Sequence, residues 1–130
     1  MRSRLSTVAD DIDQALGRLS DEVAFRSAEA AALFALDAVG LRDESSKNSA
    51  ELDALANSYD KEYFSIQDEI ELGRRRPNDE LEAFSKARAV SALAFAKRGE
   101  PGEAIYEAII ATDDAPQLRE LVRSKIDEVA

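Results

Sequence analysis

The stretch DEIELGRRRPNDELE, residues 68–82, gathers the side chains best able to do chemistry in this chain. Asp68 and Glu71 sit three residues apart before a glycine, and Asp79 and Glu82 sit three apart after a proline. That spacing puts each pair on one face of a helix. If the two helices fold back on each other, four carboxylates converge at the tip, an all-oxygen set of the kind that holds Mg²⁺. Arg74, Arg75 and Arg76 in the turn can splay around an anion, each with a planar fork of donors suited to phosphate or a partner carboxylate. A plainer reading accounts for the same residues. Arginines after a helix C-terminus and acids at a helix N-terminus complement the backbone dipole, each worth about 0.3–1 kcal/mol at an exposed site. The plainer reading is the main expectation.

The four acids also resemble, faintly, the paired Glu-x-x-Glu and Glu-x-x-Asp of the all-α nucleotide pyrophosphohydrolases. That resemblance implies a Mg²⁺-dependent phosphohydrolase with Asp68, Glu71, Asp79 and Glu82 as ligands. Here the intervening segment is shorter, two acids are of the other type, and the pairs sit at a hairpin tip rather than mid-helix. Other chemistries fall away on composition. The chain has no histidine and no cysteine, so Ser–His–Asp and Cys–His nucleophiles, Cys/His zinc sites and disulfides are absent. Ser58 and Lys61 match Ser-x-x-Lys without the companion motifs of that enzyme class. Asp11 and Asp13 begin an EF-hand spacing, but Leu16 stands where glycine must be. No catalytic residue is assigned, and a cofactor (Mg²⁺) enters only under the phosphohydrolase alternative.

The elements that would position these residues are helices. Leu5, Val8, Ile12, Leu16 and Leu19 recur at steps of three and four, one face of a first helix. Ser20 caps a second that runs to Gly40 and is apolar on nearly every side around AAALFAL. Asn48 with Glu51 forms a capping box for the longest helix, about residues 49–72, whose stripe is Leu52, Leu55, Tyr59, Tyr63, Ile66 and Ile70. Phe64 lies off that stripe, and its exposure would mark a partner contact. Asn78 caps a fourth helix to Gly99, a short helix covers about 102–111, and Pro116 opens the last, which carries Leu118, Leu121, Val122, Ile126 and Val129. No segment alternates polar and apolar residues. The expectation is one all-α domain over residues 1–130, an antiparallel bundle of about six helices.

Residues 85–116 resemble a single tetratricopeptide-repeat hairpin. On that pattern Ala92 is the small residue and Phe95 the aromatic of the first helix. Gly99 marks the turn, Ala104 and Ala111 are the small residues of the second helix, and Pro116 closes it. The resemblance implies two closely packed helices with the aromatic filling the gap. Arg88 and Ala108 stand where the pattern has aromatics, and Ser91 where it has leucine. One repeat period upstream, Ser58, Lys61, Ile70 and Pro77 do not fit, so a single unit is visible where an array needs about three. A plain antiparallel helix pair fits as well.

Partners follow from charge. The net charge is −10, a surface that repels nucleic acid and anionic lipid. The N-terminal residues carry Asp10 and Asp11 before any apolar core of a leader could form, and the longest uncharged apolar run, Ala30 to Leu36, is far short of a span. A cytoplasmic protein with no membrane partner is expected. The main functional reading is a small acidic helical protein that acts by protein–protein interaction, with a protein partner or as a homo-oligomer, through the last two helices and the hairpin before them. An acidic immunity or nucleic-acid-mimic protein is the other alternative, although acids are scattered over every helix.

Overall fold

The computed structural model describes residues 4–75 and 79–128, with Asp79 described in its backbone alone. Seven α-helices fill them: α1 (Arg4–Val8), α2 (Asp10–Leu16), α3 (Asp21–Ala38), α4 (Ser49–Glu71), α5 (Asp79–Lys97), α6 (Pro101–Ala111) and α7 (Pro116–Asp127). A 3₁₀ turn at Arg42–Ser46 occupies the polar connection before α4, and no strand occurs among the described residues. The chain is an all-α bundle.

Most helix ends form as their residues dictate. Ser20 accepts a hydrogen bond from the Val23 amide at the start of α3. Asn48 and Glu51 exchange both bonds of a capping box at α4. Pro101 and Pro116 open α6 and α7, where a missing N–H costs nothing. Helices α3, α4 and α5 end at Gly40, Gly73 and Gly99, each at positive φ. The amide after each glycine returns to the carbonyl five residues back, the Schellman arrangement. The expected cap Asn78 lies outside the described residues.

The N-terminal helix departs from expectation. Its periodicity suggests one rod from Leu5 to Leu19, yet the helix breaks at Ala9 (φ −151°, ψ 67°) and stops at Leu16. The break lets Leu5, Ala9 and Ile12 all bury, each at most 2% exposed. It also frees the Val8 carbonyl, which the Arg119 guanidinium of α7 takes at 2.7 Å. A side chain 111 residues away thus satisfies the broken turn, and periodicity alone cannot see it.

At the centre, α5 packs against α4, α6 and α3, and α3 in turn meets α6 and α7. Alanine dominates this core: Ala28, Ala31, Ala32 and Ala35 of α3, Ala87, Ala89, Ala92, Ala94 and Ala96 of α5, and Ala104 and Ala108 of α6 are all essentially inaccessible. Such small side chains let helix axes approach closely, so one helix can be covered on several sides at once. Leu36, Leu52, Leu93, Ile105 and Leu118 fill the remaining space. The six residues named for the α5–α6 hairpin are placed as follows. Ala92, Ala104 and Ala111 are buried, Phe95 packs on the core, and Gly99 makes the turn. Pro116 starts the next helix.

Helix α4 is placed differently. Its one substantial neighbour among the described residues is α5. The two run antiparallel, tied by Asp53–Arg98 at 2.7 Å, Asp60–Arg88 at 3.1 Å and the Tyr63–Phe84 rings at 5.6 Å.

Candidate interaction surface

Two groups of side chains contradict their solvation preference, and both involve the α4–α5 hairpin. The first is internal. Glu107 on α6 is only 2% exposed. Both its oxygens accept from Arg88 Nη1 of α5 at 3.2 Å, and Arg4 Nη2 of α1 adds a third bond at 3.1 Å. The other end of Arg88 forks onto Asp60 of α4 at 3.1 and 3.2 Å. Arg4 also pairs with Glu103 and lies over the Tyr106 ring at 4.4 Å. The Glu103 hydrogen bond holds the Arg4 guanidinium above its ordinary pKa. One carboxylate thereby links α1, α5 and α6, and through Arg88 reaches α4. Arg88 Nε is buried with no acceptor among the described residues.

This cluster escaped sequence reasoning. The signal was there in part: Arg88 and Glu107 each interrupt an otherwise apolar helical face, and Arg88 occupies an aromatic position of the repeat pattern. Nothing in a linear sequence pairs them. The arrangement is structural rather than reactive, because every acid faces an arginine that stays protonated and no titrating base is near.

The second group is external. Phe64, Leu72 and Leu81 are 61%, 66% and 52% exposed. All three lie within about two turns of the connection between α4 and α5. Tyr63, Ile70 and Phe84 are half-buried beside them. The Phe64 ring meets Tyr63 edge-on at 5.3 Å and otherwise faces solvent. Arg74 and Arg75 follow Leu72 and are exposed. Arg75 pairs with Glu69, whereas Arg74 makes no side-chain hydrogen bond or ion pair among the described residues. Arg76 lies outside them.

The carboxylates weighed as metal ligands lie around the same end. Asp68, Glu71 and Glu82 are exposed, and Glu82 is held by Lys86 at 3.0 Å. The Glu82 hydrogen bond raises the Lys86 ammonium above its ordinary pKa. The side chain of Asp79 lies outside the described residues. Among the described residues no three metal-ligating side chains gather.

Beside this end is an open cleft of about 550 Å³, floored by Phe34, Ala38 and Val39 of α3 and Ala111 and Ala115 around the end of α6. Glu82 and Asp113 stand at its rim. Asp113 also lines a neighbouring hollow of about 230 Å³ with Phe84 and Ile110. Its carboxylate has no hydrogen-bond or ion-pair partner among the described residues. Asp114 next to it is clamped by Arg119 at 2.6 and 3.1 Å.

The last helices do not offer the surface expected of them. Ala104, Ile105, Glu107, Ala108 and Ile109 put most of α6 in the core, and Leu118 and Val122 turn the stripe of α7 inward. The large apolar side chains more than half exposed, Phe64, Leu72 and Leu81, lie on α4, just after it and on α5, and Phe25 of α3 is 37% exposed. No helix among the described residues is long and apolar enough to cross a membrane. Comparison with known protein families, curated proteins and solved structures finds no match for this chain.

Proposed function

We propose that this chain works by binding another protein through the free end of its α4–α5 hairpin. One observation carries the reading: Phe64, Leu72 and Leu81 are all exposed within about two turns of the α4–α5 connection. Burying a Phe or Leu side chain is worth about 1.5–3 kcal/mol, so three left in water at one place are a reserve of association energy. Aromatic anchors ringed by polar residues are the usual composition of a contact core. Arg74 and Arg75 supply the polar rim. The absence of histidine and cysteine from the sequence agrees with a binding role over acid–base or thiol catalysis.

Photo-crosslinking tests this directly. A benzophenone side chain at position 64 or 72 captures a protein, and one at Asn57, on the polar outward face of α4, does not. Loss of product at both tip positions, with helicity unchanged, removes the reading.

A further inference from the structure

We infer that the protein seated on this end is a second copy of the same chain, in a two-fold pair where each Leu72–Arg75 tip enters the other's α3–α5–α6 cleft. The inference rests on the binding role proposed above and names its partner. The tip offers an apolar knob, Leu72, followed by a cation without a partner among the described residues, Arg74. The cleft offers an apolar floor, Phe34 and Val39, and at its rim an anion without a partner among the described residues, Asp113. Knob and cleft are therefore complementary in both hydrophobicity and charge.

The cleft also reaches the helix that follows the tip. Glu82 of α5 lines it, one residue after the exposed Leu81. A two-fold axis needs this layout, since the patch must match itself and every contact occurs twice. A molecule of net charge −10 repels its copies at long range, and a contact that sets Arg74 against Asp113 places opposite charges where the surfaces meet.

The experiment is a charge swap on the full chain, read by sedimentation equilibrium between about 1 and 100 μM. Wild type is expected to dimerise in that range. Arg74→Asp and Asp113→Arg each set like charges together twice and weaken the dimer roughly tenfold or more. An equimolar mixture of the two single variants restores both contacts and gives a heterodimer, and the double variant pairs with itself. Thermal melts by circular dichroism confirm that each variant folds. A monomeric wild type, or a mixture that fails to pair, overturns the second copy as partner. The crosslinker at position 72 then separates the two ideas. A product of twice the chain mass supports the dimer, and a product with a different protein overturns it while leaving the binding role intact. No product at all sinks both.

Discussion

Halfway along the α4–α5 hairpin, Asp60 and Arg88, both partly buried, reach inward to Glu107, which is almost wholly enclosed. Toward the turn of the same hairpin, Phe64, Leu72 and Leu81 stand in water. Charge is inside and hydrocarbon outside, each against its solvation preference, yet the two inversions differ in kind. The buried charges find compensation within the chain: Glu107 accepts from two arginines, and Arg88 forks onto two carboxylates. A paired and hydrogen-bonded charge is tolerable in a core, where an isolated one is not. The exposed trio has no such compensation among the described residues. What compensates the first inversion is inside the molecule, and the second is the surface that the proposed partner would cover.

Removing one partner of each inversion should separate them most sharply. Glu107→Ala takes from Arg88 the enclosed one of its two carboxylates, leaving Asp60, and is expected to cost about 2–3 kcal/mol, a large share of the roughly 5–15 kcal/mol that holds a domain together. Leu72→Ser and Phe64→Ser should leave stability within about 0.5 kcal/mol of wild type, as exposed positions do. Urea unfolding followed by circular dichroism measures all three. The paired replacement Glu107→Leu with Arg88→Met should recover most of the loss, because it removes both charges together. A Glu107→Ala variant as stable as Leu72→Ser would end the distinction between the two regions.

A smaller effect is expected where the N-terminal helix breaks. Arg119→Ala leaves the Val8 carbonyl without its donor and frees Asp114. The Val8 bond is only part-buried, so its loss is expected to cost about 1 kcal/mol. Amide exchange should localise the loss to α1 and α2 while α3 and α5 stay protected.

What was legible in the sequence is what local physics decides. The stripe of α4, the capping box at Asn48, the glycine stops and the start at Pro116 all formed, because each depends on residues within one or two turns. Phe64 was also legible, as a large apolar residue off its helix's stripe. The break at Ala9 was not, because the competing option, an unbroken rod, satisfies the same periodicity; the difference is made by Arg119, distant in sequence. The Glu107 cluster was illegible for the same reason, joining four helices through residues up to 103 positions apart. Burial of α6 followed from alanine-rich neighbours on both sides, a packing outcome that an apolar stripe cannot distinguish from a binding face.

The helix ends permit a finer test. Helix α6 stops in the same hydrogen-bond pattern as α3, α4 and α5, with the Asp114 amide returning to the Ile109 carbonyl at 2.8 Å. Yet Asp113, at φ 52°, stands where the other three have glycine. A side chain in that region costs about 1 kcal/mol relative to glycine. Asp113→Gly is expected to stabilise the fold by roughly 0.5–1 kcal/mol, and Gly99→Ala to destabilise it by about 1 kcal/mol. The first variant also deletes the carboxylate at the cleft's rim that has no partner among the described residues. It should therefore gain stability and lose self-association together, a divergence that a purely structural Asp113 would not produce.

The smallest expected effect lies at the rim, where Arg123 of α7 pairs with Asp11 of α2. That hydrogen bond holds the Asp11 carboxyl below its ordinary pKa of 3.8. The folded state therefore binds the proton less readily than the unfolded chain does. The pair's contribution is fully present above the ordinary value and is lost as pH falls through the lower, folded one. Both side chains are more than half exposed, so screening limits the contribution to a few tenths of a kcal/mol. Asp11→Asn should then be less stable than wild type by about that much at neutral pH, with the gap closing once the solution is acidic enough to protonate the folded carboxyl. Raising the salt concentration at neutral pH should close it too. Glu107→Ala should behave oppositely toward salt, because counter-ions do not reach a carboxylate that is almost wholly enclosed. If the Asp11 gap survived high salt unchanged, exposure would be the wrong criterion for dividing the charges of this molecule into those that hold it together and those that merely decorate it.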